Sequence, residues 1–306
     1  MPRASLLDTR RITFNEIQSL FKKAIEFREL QKQFGSFVSP DQKNQSKVIA
    51  CLFFEPSTRT RMSFQMAAYR LGHQVLAMEL AASSSLSKGE TYLDTVLNVL
   101  AMRPDALVIR YGESKELDEA LPQLETPIIN GGSGTTAHPT QALLDAFTIQ
   151  EAFGSVKDKK VLIVGDIQHS RVARSNFDVL SKLGAKIGVS GPSGFLPNEQ
   201  TITQYGISVF NDLNEGVSWC DVYMGLRIQL ERHAASELKL ASLDEYHQRF
   251  GLNQPRLKLL KENAIILHPG PINHGVEFAH EVAQDPRNRV LTQVANGVLI
   301  RAAVLS

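Results

Sequence analysis

At 306 residues, with 43% hydrophobic and 21% charged residues, the chain has an ordinary globular composition and enough length for two cores rather than one. The 33 Lys and Arg nearly balance the 32 Asp and Glu, which argues against a general attraction to nucleic acid or to an anionic membrane surface; any anion site has to be built locally. Two cysteines cannot frame a disulfide-stapled fold and suit a reducing, cytoplasmic compartment, and neither a signal peptide nor a membrane-spanning apolar run is legible.

In chain order, short apolar runs alternate with longer amphipathic stretches. The run 47–55, KVIACLFFE, is almost continuously apolar, as expected of a strand covered on both faces, and Cys51 inside it reads as a small core residue. A helix is expected to begin near Thr58, with Ser57 as its N-cap. Further strands are predicted at 73–79, 105–110 and 126–130, with a helix over 91–102 that carries Leu93, Val96, Leu97 and Leu100 at helical spacing. The stretch 138–154 has Pro139 near its start and Gly154 just past the end of its helical pattern, both helix-boundary signals; Leu143, Ala146, Phe147 and Gln150 share one face.

The strand series then restarts at 159–166, 185–191, 206–210, 220–225 and 263–270, with helices near 171–183 and 255–262 and a terminal helix over 290–305. The span 226–258 is charged and weakly periodic, and reads as a loop carrying short helices. Strands alternating with helices predict an α/β protein of two domains, each a parallel sheet flanked by helices. The expected divisions are a first domain at 1–137, a linking helix at 138–153, a second domain at 154–287, and a terminal helix at 288–306 that returns to the first.

The densest chemistry lies where the first apolar run ends, in EPSTRTR at 55–61. A helix start presents unpaired N–H groups and the positive end of its dipole, and here three hydroxyls and two guanidiniums accompany them. That set suits a phosphate, whose oxygens accept many directed hydrogen bonds. Without the strand before it, such a start would read as an exposed cap with solvated arginines.

FFEPSTRTRMSF (53–64) resembles the carbamoyl-phosphate motif of the aspartate/ornithine carbamoyltransferase family. The resemblance extends through SSSLSKGETYLDT (83–95), HPTQALLD (138–145), GDIQHSRVARSN (165–176), LRIQLER (226–232), HPGPINHGVE (268–277) and NGVLIRAAVL (296–305), in the family's order and over nearly the whole chain. It implies that the first domain binds carbamoyl phosphate, that the second binds an amino acid, and that the acceptor's amine takes the carbamoyl group while phosphate leaves. Ser57, Thr58, Arg59 and Thr60 match the phosphate cradle. Arg110 matches an arginine shared by phosphate and carbonyl oxygen. His138 and Gln141, three apart and so able to share a helix face, match a pair around the carbamoyl group. Gly270 and Pro271 match a loop whose backbone meets that group. Arg171 and Arg227 match the residues that hold two carboxylates of the acceptor, with Gln229 beside them.

Thr60, Arg110 and His138 are plausible donors to the oxyanion of a tetrahedral intermediate, with His138 neutral rather than a general base; Arg59 and Lys88 complete the expected catalytic set. Two features favour the aspartate branch over the ornithine branch. Arg171, Arg227 and Lys88 are cations suited to two carboxylates, and the chain reads His268-Pro269-Gly270-Pro271 where ornithine enzymes carry H-C-L-P. That branch serves an early step of pyrimidine biosynthesis.

In the family, the loop that holds a serine and Lys88 enters a neighbouring subunit's site. Ser84 or Ser85 matches that serine, Ser85 being taken here, and a homotrimer with shared sites is implied. Larger assemblies with regulatory chains or a dihydroorotase stay open. Glu55 is expected to bridge to Arg171 and Arg232 and so favour domain closure. No cofactor, metal cluster, covalent intermediate, nucleic acid or membrane partner is expected. The rivals are a transcarbamylase for ornithine or an acylated amino acid, a non-catalytic nucleotide binder around VLIVGDIQHS, which lacks G-x-G-x-x-G spacing, and a nucleic-acid binder using Arg59, Arg61 and Arg70.

Overall fold

Apolar runs too short for helices become parallel strands in this structure, a computed structural model that describes residues 5–40, 45–79, 89–134, 136–228 and 242–306. The chain divides into two units, Met1–Leu144 with Val294–Ser306, and Asp145–Gln293.

In the first unit, β1 (Val48–Phe53), β2 (Gln74–Glu79), β3 (Ala106–Tyr111) and β4 (Ile128–Ser133) form a sheet of order β2-β1-β3-β4, every pairing parallel. Helices α1 (Phe14–Phe34), α2 (Thr58–Arg70), α3 (Tyr92–Ala101) and α4 (Lys115–Ala120) accompany it. Ala50, Leu52, Leu107, Ile109 and Ile128 pack with Val96 of α3 and Leu117 of α4 into one core cluster. Burying a Leu- or Ile-sized side chain contributes about 1.5–3 kcal/mol, so this cluster secures the sheet. β1 is buried from Ile49 to Phe53, as its apolar run requires.

In the second unit, β5 (Lys160–Val164), β6 (Lys186–Ser190), β7 (Ser208–Val209), β8 (Val222–Gly225) and β9 (Ile265–Leu267) form a parallel sheet of order β7-β6-β5-β8-β9. Here α6 (Arg171–Lys182), α7 (Glu199–Tyr205), α8 (Leu213–Trp219), α9 (Leu243–Phe250) and α10 (Gln254–Leu259) join the strands. Leu162, Val164, Val217, Tyr223, Ile266 and Phe278 share the main core cluster. The chain passes from the first unit to the second along α5 (Pro139–Phe153) and returns along α11 (Val290–Leu305).

Both sheets contain a topological switch. The chain runs from β1 outward to β2, then returns to place β3 on the other side of β1; likewise it runs from β5 to β6 and returns to place β8 beside β5. Loops that leave the carboxyl ends of such strand pairs diverge and leave a crevice, which is where ligands bind in open α/β sheets.

Three differences from the sequence expectations are informative. Helix α1 went unread, although Thr13 and Glu16 form a capping box and Gly35 closes the helix in the left-handed region. α5 was expected to hide one face, yet Ala142 through Ile149 are buried all round, as for a helix inside the protein rather than on its surface. In 226–258, residues 229–241 lie outside the described residues and the remainder forms α9 and α10.

Candidate active site

In the first unit the switch strands carry the expected residues at their carboxyl ends. Phe53 of β1 pairs with Arg110 of β3, and the Phe54 N–H donates to the Arg110 carbonyl at 2.8 Å. The next residues of the β1 strand lead through Glu55 to Ser57 and α2. Ser57 holds the N-cap position with extended backbone, as expected, but its hydroxyl makes no capping hydrogen bond. The helix uses amide N–H groups only from Arg61 onward, whose N–H donates to the Ser57 carbonyl at 3.2 Å. Earlier amides are therefore directed out of the helix start. Thr58 and Arg59 are exposed there, and Thr60 is buried.

Thr60 Oγ1 lies 3.5 Å from His138 Nε2, which brings the first motif to the third. His138 precedes α5 rather than lying on its face: Pro139 occupies the first helical position, and the residue before a proline is pushed out of helical geometry. The His138 carbonyl then accepts the Gln141 N–H at 3.0 Å, so the two residues remain close, and both are buried.

Arg110 Nη1 donates to the Gly131 carbonyl at 3.4 Å, and Arg110 Nε lies 3.5 Å from a Glu55 carboxylate oxygen. Glu55 thus has an ion-pair partner inside its own unit, which the sequence reading had not anticipated. Its two expected partners are Arg171, in the second unit, and Arg232, outside the described residues. Ser85, Lys88 and Gln229 also lie outside the described residues, as does Ser84.

Asn130 escaped the sequence reading. Its buried amide donates to the Leu7 carbonyl at 2.7 Å and to Ser133 Oγ at 2.9 Å, and accepts the Gly132 N–H at 2.7 Å. It thereby shapes the glycine turn beneath Arg110. A lone Asn within a strand carries no sequence signal for such a task.

In the second unit Arg171 opens α6, after Ser170 caps it through the Ala173 N–H at 3.2 Å. Neither α2 nor α6 has an acidic side chain in its first turn, where Arg59 and Arg171 lie instead. A cation at the positive end of a helix dipole is unfavourable by itself, and an anion bound there reverses the sign.

Arg227 lies two residues beyond the end of β8. The Leu226 N–H donates to the Val164 carbonyl at 2.8 Å, and the Ile228 N–H donates to Glu277 Oε1 at 2.8 Å. Gly165, with φ of +130°, lets this segment pass closely; a Cβ there would stand 3.0 Å from the Leu226 carbonyl oxygen. Strand β9 leads into His268, whose N–H donates to Gln293 Oε1 at 2.8 Å, while Gln293 Nε2 donates to Asp145 at 2.8 Å. The Gly270 N–H in turn donates to His268 Nδ1 at 2.8 Å, and the Gly270–Pro271 peptide is cis. The loop expected to meet a carbamoyl group is thus tied to buried side chains of α5 and α11. Both cysteines are buried, and desolvation pushes each thiol up to about 12, which removes them as nucleophiles. Among the described residues, no group of three or more His, Cys, Asp or Glu could hold a metal ion.

Comparison with known proteins gives a match in two parts along the chain. Residues 4–151 match the family described as aspartate/ornithine carbamoyltransferase, carbamoyl-P binding domain, and residues 157–306 match its Asp/Orn binding domain. The aspartate carbamoyltransferase catalytic subunit of Solibacter usitatus (strain Ellin6076) is 46% identical over 303 residues, covering 99% of this chain and 98% of the relative. That of Listeria monocytogenes serotype 4b (strain F2365) is 42% identical over 301 residues, covering 98% and 94%. Among solved structures, aspartate transcarbamoylase from Trypanosoma cruzi in complex with carbamoyl phosphate is similar with a TM-score of 0.85 and 30% identity, covering 99% of this chain and 95% of that one. The same enzyme in complex with N-(phosphonacetyl)-L-aspartic acid gives 0.86 and 29%, covering 99% and 94%.

Proposed function

This chain belongs to the aspartate/ornithine carbamoyltransferase family, and on that premise we propose that it transfers the carbamoyl group of carbamoyl phosphate to the amine of L-aspartate. The products are N-carbamoyl-L-aspartate and phosphate, an early step of de novo pyrimidine synthesis. The observation that carries this reading is the position of the cations: each sheet puts arginines at the carboxyl ends of its switch strands, Arg59 and Arg110 in one unit, Arg171 and Arg227 in the other.

The first unit is assigned to carbamoyl phosphate. Ser57, Thr58, Arg59 and Thr60 hold the phosphate with the outward amides of the α2 start, and the uncommitted capping role of Ser57 leaves its hydroxyl for a ligand oxygen. The deprotonated amine of aspartate attacks the carbonyl carbon and a tetrahedral centre forms. Its oxyanion accepts hydrogen bonds from Thr60, Arg110 and neutral His138, each donor contributing about 3–4 kcal/mol if it behaves like other oxyanion-hole groups. The C–O bond to phosphate then breaks, and the leaving phosphate takes the proton lost by the amine. Gln141 and the Gly270–Pro271 backbone orient the carbamoyl group. Arg171, Arg227, Gln229 and Lys88 grip the two carboxylates of aspartate.

A homotrimer with shared sites, in which Ser85 and Lys88 enter a neighbour's site, belongs to the same proposal. Its support here is an apolar surface on the first unit: Met62, Met66 and Tyr69, spaced to share one face of α2, and Leu76 and Met78 on the edge strand β2 are exposed. Solution mass near three chains is expected; a monomer with full activity would refute it. Glu55 is assigned to domain closure through Arg171 and Arg232, and Glu55→Gln should then alter the change in solution shape on ligand binding. Cytoplasmic residence fits two buried free thiols and the finding that no described helix is long and apolar enough to cross a membrane.

The decisive test is acceptor choice. Purified chain with carbamoyl phosphate should carbamoylate L-aspartate and leave L-ornithine untouched. Turnover with ornithine in preference to aspartate would overturn the assignment.

A further inference from the structure

The strand that leads to Arg227 ends at Gly225, so the sheet no longer supplies acceptors for the backbone beyond it. One acceptor is recovered when the Leu226 N–H reaches the Val164 carbonyl. The next described one is a side chain. Glu277 Oε1 accepts the Ile228 N–H at 2.8 Å and Asn273 Nδ2 at 2.9 Å, while its Oε2 accepts the Asn273 N–H at 2.7 Å. Glu277 is only 3% exposed.

We infer that Glu277 is a positioning residue for the acceptor subsite, latching the backbone that carries Arg227 to the loop that descends from Pro271. This inference rests on the reading of Arg227 as an aspartate-carboxylate ligand. The geometry explains why a carboxylate is kept there. Its three donors are neutral, and burial drives its carboxyl above the ordinary value, with the N–H groups of Ile228 and Asn273 opposing that drive. A buried carboxylate without a cation is costly, and an apolar residue would avoid the cost. What an apolar residue could not do is accept hydrogen bonds from two separate segments at once. The two oxygens divide the work: one serves Ile228 and the Asn273 amide, the other serves the Asn273 backbone.

Glutamine therefore does not substitute for it. Either orientation of its amide turns an NH₂ toward an N–H donor, which breaks one side of the latch while nearly conserving volume. Glu277→Gln should raise KM for L-aspartate about tenfold or more, the order expected when hydrogen bonds to a charged acceptor are lost. KM for carbamoyl phosphate should stay within about twofold, since that ligand is assigned to the other unit. Binding of succinate, a dicarboxylate without the reactive amine, should weaken in parallel in the presence of phosphate.

Asn273→Ala removes one donor and keeps the carboxylate. It should show the same split with a smaller rise, about two- to fivefold, and serves if Glu277→Gln does not fold. A merely structural role would move both Michaelis constants together, or lower kcat with neither changed, and either result overturns the inference, as does an unchanged KM for aspartate. A wild-type chain that ignores aspartate would instead overturn the proposed function, so the two failures are distinguishable.

Discussion

Gly165 offers a quantitative test of how closely the second unit is built around Arg227. Its φ of +130° lies where side chains are rarely tolerated, and an added Cβ would stand 3.0 Å from the Leu226 carbonyl oxygen, 3.2 Å from the Leu226 Cβ and 3.4 Å from the Tyr246 hydroxyl. Gly165→Ala thus has two costs. The backbone conformation contributes roughly 1–3 kcal/mol, and crowding against backbone contributes about 1–3 kcal/mol more. A sum near 3 kcal/mol, divided by a urea dependence of about 2–3 kcal/mol per molar, lowers the unfolding midpoint by about 1 M. Trp219 is the only tryptophan of the chain and packs against the core of the second unit, so its fluorescence reports that unit alone. The relief available to the variant is a shift of Leu226, which carries Arg227 with it, so KM for aspartate should rise as well. A Gly165→Ala protein with the wild-type midpoint would refute the reasoning, because it would mean that the contact at Leu226 does not constrain the chain.

Two further predictions address substrate division and pH. Arg59→Ala should lower kcat/KM for carbamoyl phosphate by about 10²–10³, whereas Arg227→Ala should act chiefly on KM for aspartate; indistinguishable steady-state patterns would contradict the division of ligands between the units. Asp285 accepts hydrogen bonds from Arg287 at 2.7 and 2.9 Å, and this guanidinium holds its carboxyl below the ordinary 3.8. A depressed carboxyl stabilises the fold above its unfolded pKa and loses that contribution as pH falls through the folded one. Asp285→Asn should therefore lower the Trp219 unfolding midpoint at pH 7 by an amount equivalent to about 1.5–3 kcal/mol, and the difference should begin to narrow only as pH falls below about 4. A difference that persists unchanged in acid would argue against the ion pair as its source.

How far the molecule could be read from its residues depended on whether the signal was local. β1, β5 and β8 stood out because a parallel strand buried on both faces is almost purely apolar. Helix α1 was obscured because only Ile17, Phe21 and Ala24 of its 21 residues are buried, which leaves a narrow apolar stripe among charges. Ser57 through Thr60 could be picked out as candidates because a cluster of hydroxyl, guanidinium and amide donors at a helix start is contiguous in sequence. Arg110, His138, Arg171 and Arg227 were reached only through the order of motifs along the chain, since topology rather than spacing places them at strand ends. Glu277, Asn130 and the Asp145–Gln293 pair had no local signature at all: each is a polar residue whose role depends on which backbone it meets after folding. The same holds for the Glu55 contact with Arg110, which follows from the register of β1 and β3.

The return of the chain along α11 has a consequence for biosynthesis. The first unit includes Val294–Ser306, where Leu299, Ile300, Ala302, Ala303 and Leu305 are buried, Arg301 lies over the Phe64 ring and Asn296 accepts a hydrogen bond from Arg28. The second unit is one uninterrupted segment. A nascent chain can therefore close the later unit while the earlier one still lacks its last layer, and the part translated first is the part finished last. Until residues 294–306 have left the ribosome, the half assigned to carbamoyl phosphate keeps an open apolar seam that a chaperone or a protease could recognise.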